Sequence, residues 1–291
     1  MLKTAVIGAS GYVGSHLWRS YRSRFPDCIG TGFSAGHPEL KPFDIRRPDI
    51  ASLQLAESGH EAVLIAAAKP NIAYCENNKD AAYDVNVRGT LELARQAGKI
   101  GLTVIFLSSD YVFAGSSGPY ADSDPVGPTT EYGRHKALVE RELPALVEQY
   151  MVLRLSKIYG TRKGDKTLLD EMAGLLASHS EIRAANDQLF CPTCVDDLPK
   201  VIQGLQNRQV KGILNLCSPE GFSRHEIASA LADAMRADRS LIKAISLHDL
   251  PSMASRPRDT RMRPSRLVMD ICPNFTPLQQ CIGKVAARWT T

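Results

Sequence analysis

Three side chains in this sequence have the types and spacing of a proton-donating site: Ser109 in VIFLSSDYVF, and Tyr132 and Lys136, four residues apart in EYGRHKALVE. A phenol is a poor acid at its free pKa of about 10 and needs a fixed cation nearby to bring that value toward neutrality. On a helix, positions i and i+4 share a face, so the Lys136 ammonium and the Tyr132 phenol project toward one cleft. Ser109, 23 residues before the tyrosine, supplies a hydroxyl that hydrogen-bonds the oxygen being protonated. The Tyr-x-x-x-Lys spacing recurs on ordinary solvated helices, so its weight comes from the elements around it.

The first such element is the N-terminus, where KTAVIGASGYVGSHLWRSY reads as a short apolar strand running into a glycine turn and then a helix. Gly8 permits the tight turn, Gly11 lets backbone approach a pyrophosphate, and Gly14 allows close helix–sheet packing. The helix N-terminus adds free N–H groups and positive potential, which makes the whole a dinucleotide-binding turn. Its glycines are spaced three and three, GxxGxxG rather than GxGxxG.

Strand-like runs follow at 28–33, 40–45, 62–68, 102–109 and 150–160, with helical patterns at 14–24, 48–58 and 78–99 between them. Continuous apolar runs such as EAVLIAAA signal strands buried on both faces. Alternating strand and helix predicts an α/β fold, a Rossmann-type doubly wound parallel sheet with ligands at the carboxyl ends of its strands. Beyond about residue 160 the alternation fades, predicting a smaller C-terminal α/β substrate lobe with TLLDEMAGLLASH and SRHEIASALADAMR as amphipathic helices. The expected division is 1–159 for the dinucleotide domain and 160–291 for the lobe, with a segment near 186–206 exchanged between them.

Composition narrows the function. A net charge of +4 over 291 residues is too mild and scattered for nucleic acid, but suits an anionic small molecule. The longest apolar stretches fall far short of the roughly 20 residues of a spanning helix, so no membrane partner is expected. No signal peptide is read, because the first strand runs directly into the glycine turn. The seven scattered cysteines predict reduced thiols and a cytoplasmic protein. Cys191 and Cys194 form a CPTC, but zinc would need a second ligand pair that the sequence does not supply, so they read as small buried side chains around a turn and no metal is expected.

Taken together, these segments resemble the extended short-chain dehydrogenase/reductases, whose glycine fingerprint has this spacing, and within them the dTDP-4-dehydrorhamnose reductase family. The resemblance runs almost end to end, through AAAKPNIAYCENN, DVNVRGT, SSDYVFAGSSGPYADSDPVGPTTEYGRHK, DQLFCPT, GILNLCSPEGFSRHEIA and RPRDTRM. It implies that Tyr132 protonates a C4 keto oxygen while hydride comes from the nicotinamide, that Ser109 hydrogen-bonds the carbonyl, and that Lys136 depresses the tyrosine pKa and holds the nicotinamide ribose. Cofactor contacts are implied for Gly8, Ser10, Gly11, Tyr12 and Val13 in the turn, for Asp44 and Ile45 at the adenine, and for Ala66, Ala67 and Ala68 at a small-residue strand end. Asn86 matches a supporting position. Substrate contacts are implied for Ser109, Asp110 and Val112. Ala73 and the region of Arg263 depart from the family's usual aspartates, pointing to a different sugar.

An acid at the end of the second strand would bond a ribose 2'-hydroxyl and repel a 2'-phosphate. Here that strand ends in Gly32-Phe33-Ser34, so NADP(H) is expected over NAD(H), with Ser34, His37 or Lys41 near the phosphate. Five arginines within residues 256–266 suit a nucleotide sugar's diphosphate, with Arg256 the expected direct contact. The leading expectation is an NADPH-dependent 4-keto reductase of a nucleotide-activated 6-deoxy sugar; a homodimer is admitted. Two alternatives stay open: an epimerase or dehydratase that retains NAD, and a non-catalytic subunit, since the regulatory β subunit of methionine adenosyltransferase resembles this family.

Overall fold

The computed structural model describes residues 1–33, 37–249 and 256–289. Its centre is a sheet of five parallel strands in the order Thr4–Ile7, Ala62–Ile65, Thr103–Ser109, Tyr150–Leu155 and Gly212–Leu216. Every residue of Thr4–Ile7 and Ala62–Ile65 is buried, as continuous apolar runs require when helices cover both faces. Beyond the first strand, the Val6–Gly30 bridge brings up Thr31–Gly32, which pairs in parallel with Lys41–Pro42. The chain therefore winds outward from Thr4–Ile7 in one direction and then in the other. The switch between Ile7 and Ile65 opens a crevice at the strands' carboxyl ends.

Local chemistry explains where the elements depart from their expected lengths. No helix forms over 48–58; only a short turn, Ala51–Leu53, is helical, and Gln54 then adopts a left-handed φ of 53°. That turn lets Leu53 and Leu55, two residues apart, enter the same core as Ile50, which positions i and i+2 on a helix cannot do. The strands expected at 28–33 and 40–45 shrink to two paired residues each. The expected 78–99 helix is Lys79–Tyr83, a π-helical turn Asp84–Gly89, and Thr90–Lys99. Within the turn, buried Asn86 clasps the backbone of Lys69: its Oδ1 accepts from the Lys69 N–H at 2.7 Å and its Nδ2 donates to the Lys69 carbonyl at 3.1 Å. Asn86 thus pins the loop that leaves the Ala62–Ile65 strand.

A second core holds helices Leu168–Ala177, Arg224–Met235 and Leu278–Trp289 over the parallel pair Ile182–Ala185 and Ile242–Ile245. A single boundary at 159–160 does not describe the chain, because Gly212–Leu216 adds to the main sheet beside Tyr150–Leu155. Helix Leu198–Asn207 returns with it, and its apolar face joins the core under helix Tyr12–Arg22. Gln206 locks the return by accepting from the Tyr21 hydroxyl at 3.0 Å and donating to Thr4 Oγ1 at 2.8 Å. The segment expected to cross near 186–206 is accordingly longer, running through Leu216, and Arg266–Ile271 packs on it as well. No helix among the described residues is long and apolar enough to cross a membrane.

One buried charge pair fastens a helix to the main sheet. Arg154, on the fourth strand of the sheet, and Glu140, on helix Glu131–Leu146, are each 4% exposed and meet at 2.7 Å. Ser108 also donates to Glu140, and Arg154 donates to the Asp122 carbonyl at 3.1 Å. Breaking such a pair strands a buried charge, which costs about 3–5 kcal/mol. Glu140→Ala should therefore lower urea stability by about that amount, while Glu140→Met with Arg154→Met should lose much less; denaturation midpoints of the three proteins check this.

Candidate active site

The crevice at the switch point is a cleft of about 340 Å³ lined by Gly8, Ser10, Gly11, Asp44, Ile45 and Ala66, Ala67 and Ala68 among others. Two of the turn's glycines are required by the protein itself. Gly8 has φ +92°, and a Cβ there would lie 2.5 Å from the Ala67 nitrogen; a Cβ at Gly14 would lie 2.2 Å from the Gly8 carbonyl oxygen. Gly11 differs, since its Cβ would meet nothing nearer than 3.4 Å. Its missing side chain leaves open space in the cleft, directly before the N-terminus of helix Tyr12–Arg22, where no side chain caps the first turn. That is the geometry of a cradle for an anion.

Several expected contacts lie elsewhere. Tyr12 and Val13 do not line the cleft: the Tyr12 hydroxyl donates to Asp165 at 3.2 Å, and Val13 packs on the core. Ser34 lies outside the described residues. His37 sets its ring edge-on to Trp18, and the Lys41 ammonium donates to the Leu53 carbonyl at 3.3 Å. Arg46, Phe33, Lys69 and Tyr74, which sequence reasoning missed, do line it. The Arg46 guanidinium stacks 4.9 Å from the Phe33 ring centroid and clasps Asp44, holding its carboxyl below the usual carboxylate range. The available signal was the Arg46-Arg47 pair directly after the third short strand.

A second cleft, of about 380 Å³, gathers Ser109, Asp110, Tyr111, Tyr132, Ser156, Lys157, Gln188, Arg224, Arg256 and Thr260. Ser109 ends the middle strand of the sheet, and Tyr132 stands in the first turn of Glu131–Leu146, capped by the Thr130 hydroxyl at 3.1 Å from the Gly133 nitrogen. Lys136, one turn on and 4% exposed, donates to the Leu107 carbonyl at 2.7 Å. Its ammonium lies 4.4 Å from the Phe106 ring centroid and 5.7 Å from that of Tyr132. Lys136 itself lines neither cleft.

The electrostatics correct one expectation. Tyr132 is not drawn toward neutrality by Lys136; its pKa is pushed up, by burial first and by the Asp110 charge second, with the neighbouring Ser109 hydroxyl opposing the shift. The ammonium points to a backbone carbonyl and to ring faces, so it does little for the phenolic oxygen. Burial also brings Lys136 down to about 8, with Glu140 opposing the shift. Burial raises Asp110 to about 6, although the hydroxyls of Thr260, Ser156 and Ser109 all donate to it.

Arg256 lines this cleft with its Nε buried and unpartnered. Beside it stand Lys157 and Arg224, which the sequence reading missed although Lys157 follows a buried strand at its carboxyl end. Both are shifted down, by burial and by mutual repulsion among the three cations. None of the three forms an ion pair among the described residues. The other arginines of the basic loop are differently placed: Arg258 pairs with Asp187, Arg261 with Asp259, and Arg263 and Arg266 are exposed. Val112 is not a cleft residue, being fully buried with Phe113, Tyr120 and Met262 because its short 3-10 turn aims it into the core. Cys191 packs in that same cluster and Cys194 in the second lobe's core, so the two thiols diverge.

A lysine whose folded pKa is depressed binds fewer protons than the unfolded chain between the two values, so its contribution to stability rises with pH there. Between pH 8 and 10, the wild-type protein should gain about 1 kcal/mol per pH unit relative to Lys136→Met, measured by urea denaturation.

The chain matches the family model described as RmlD substrate binding domain over residues 2–290. Methionine adenosyltransferase 2 subunit beta of Bos taurus is 27% identical over 278 residues, covering 91% of this chain and 81% of that protein. The dTDP-4-dehydrorhamnose reductase of Mycobacterium tuberculosis is 29% identical over 260 residues, covering 87% and 82%. Among solved structures, a hypothetical dTDP-4-dehydrorhamnose reductase from Sulfolobus tokodaii superposes with TM-score 0.82 at 25% identity, over 94% of this chain and 97% of that one. The dTDP-4-dehydrorhamnose reductase of Bacillus anthracis, solved in complex with NADP, gives 0.80 at 22%, over 99% and 100%. Because one family description runs through both clefts and through the segments that return to the sheet, this chain belongs to the RmlD substrate binding domain family, with the fold of the extended short-chain dehydrogenase/reductases.

Proposed function

We propose that this protein is an NADPH-dependent reductase of a nucleotide-activated sugar, acting on the 4-keto group of a 6-deoxy sugar of the dTDP-4-dehydrorhamnose type. The observation that carries this reading is a pair of clefts: one built around the open cradle at Gly11, the other gathering Ser109 and Tyr132 with three cations that have no ion-pair partner among the described residues. A dinucleotide fits the first cleft, since Gly11 leaves room for a pyrophosphate and the uncapped helix offers N–H groups to it. When bound, NADPH supplies the hydride. NADP(H) is favoured over NAD(H) because Gly32 and Phe33, not an acid, end the second strand, and Arg46 brings a cation to the cleft.

The remaining chemistry belongs to the chain's own residues. Tyr132, raised above its free value, stays protonated at neutral pH and can give its proton to a carbonyl oxygen. Ser109 lines the cleft beside it. Lys157, Arg224 and Arg256 offer the charge that a nucleoside diphosphate needs, and Arg224 and Arg256 can each engage phosphate bidentately. Relatives named dTDP-4-dehydrorhamnose reductase support this class of reaction. A second reading, an NADP-binding regulatory subunit, is favoured by the extensive match to methionine adenosyltransferase 2 subunit beta.

The two readings separate in one assay, NADPH and NADH oxidation with dTDP-4-dehydrorhamnose. The wild type should turn over with NADPH, and Tyr132→Phe should lose at least about 100-fold in kcat while still binding NADPH. Gly11→Val should lose NADPH binding with an unchanged urea midpoint, because its side chain fills the cradle and not the core. If Tyr132→Phe leaves every activity intact, the catalytic reading is lost and the regulatory one stands.

A further inference from the structure

The acid beside the catalytic serine is built into the site more deeply than a substrate contact requires. Asp110 is 4% exposed, and three hydroxyls converge on it: Ser109 on Oδ1 at 3.0 Å, and Ser156 and Thr260 on Oδ2 at 2.9 Å each. Ser156 also accepts from the Cys191 N–H at 3.1 Å, and the Thr260 N–H donates to the Leu189 carbonyl at 2.9 Å. Ser109 meanwhile accepts from the Tyr111 N–H at 3.2 Å and lines one cleft with Tyr132. Ser109 is therefore hydrogen-bonded to Asp110 and faces the cleft beside Tyr132, so that Tyr132, Ser109 and Asp110 form a chain along which a proton can pass once the phenol and Ser109 hydrogen-bond.

The direction of that chain depends on one proton. A serine hydroxyl has a single hydrogen, and an ionised carboxylate can only accept. While Asp110 is ionised, Ser109 must donate to it and can only accept from Tyr132, so the chain points away from the substrate side of the cleft. With a proton on Asp110, the acid donates to Ser109, Ser109 donates to the phenolic oxygen, and the phenol is free to donate into the cleft.

Resting on the reductase reading above, we propose that Asp110 is a positioning residue that acts through Ser109, setting the polarity of the Tyr132–Ser109–Asp110 chain and resupplying the proton Tyr132 gives up. In the step, the Tyr132 O–H bond breaks as its proton goes to the oxygen of the reduced carbonyl. The Ser109 proton moves to the phenolic oxygen and the Asp110 proton moves to Ser109 Oγ. The product is an alcohol, Tyr132 and Ser109 end protonated, and Asp110 ends as a carboxylate that regains its proton from water in the cleft it lines.

The surroundings keep the carboxyl titratable. Burial raises it to about 6, while Lys157 and the three hydroxyls favour its ionised form. Its negative charge in turn opposes ionisation of Tyr111, Tyr132, Cys191 and Cys217. Reduction by the wild type should thus be fastest below about pH 6 and fall above it, since the chain then points the wrong way.

The test is the pH dependence of kcat and KM for NADPH-driven reduction of dTDP-4-dehydrorhamnose, joined to tyrosine ζ-carbon NMR of the free protein. Asp110→Asn should lower kcat at least about tenfold and erase the limb near pH 6, with KM changed less than about threefold. Thr260→Val and Ser156→Ala, which remove donors to Asp110 without touching the chain, should move that limb to higher pH and so serve if Asp110→Asn folds poorly. In the NMR arm, the Tyr132 signal should follow a titration near pH 6 in the wild type and lose that inflection in Asp110→Asn. An unchanged limb in all three variants, or a raised KM with an unchanged kcat profile, overturns the proposal in favour of a plain substrate contact. A wild type inert toward the sugar removes the reductase reading instead. The NMR arm then decides alone, and a Tyr132 signal indifferent to Asp110 overturns the chain.

Discussion

The hydrogen bond from buried Lys136 to the Leu107 carbonyl sets the register on which the whole site depends. It ties helix Glu131–Leu146 to the strand that ends two residues later in Ser109. Tyr132 lies one turn before that tie and Glu140 one turn after it, so all three project from one helix face onto the strand's end. At the far end Glu140 is held by Ser108 and Arg154. The phenol thus reaches Ser109 because a lysine and a glutamate, both inside the protein, fix where the helix lies. The role of Lys136 in this structure is accordingly mechanical as much as electrostatic.

Burying these charges is costly, and each one is offset differently. Glu140 and Arg154 neutralise each other, with further hydrogen bonds to Ser108 and Asp122. Lys136 has a carbonyl and ring faces, and its pKa falls. Asp110 has three hydroxyls, and its pKa rises. Lys157, Arg224 and Arg256 have no such partner among the described residues, which is the pattern of a site completed by an anionic ligand rather than by the protein. The strongest structural pair stands away from the second cleft, while the unbalanced charges face it.

Much of the scaffold was legible in the sequence because its signals are local. Continuous apolar runs announced buried parallel strands, and the glycine spacing announced the first turn. The 48–58 helix was misread because its apolar residues serve a left-handed turn at Gln54 that only the surrounding core demands. Val112 looked like a neighbour of the reacting groups because it follows them in the chain, yet the 3-10 turn aims it inward. Arg224 was overlooked because nothing in its own segment marks it, and Lys157 although it follows a strand's carboxyl end; both matter only where distant elements converge.

By itself the sequence determined the α/β class and the glycine turn and singled out Ser109, Tyr132 and Lys136 as candidates, because period, glycine placement and i, i+4 spacing act over a few residues. Tertiary structure alone decided what those residues do to one another. Whether a phenol is an easier or a harder acid depends on which charges lie within a few ångströms and how much water is excluded. In this protein those neighbours come from four separate segments, around residues 110, 132, 156 and 260, that only the fold brings together.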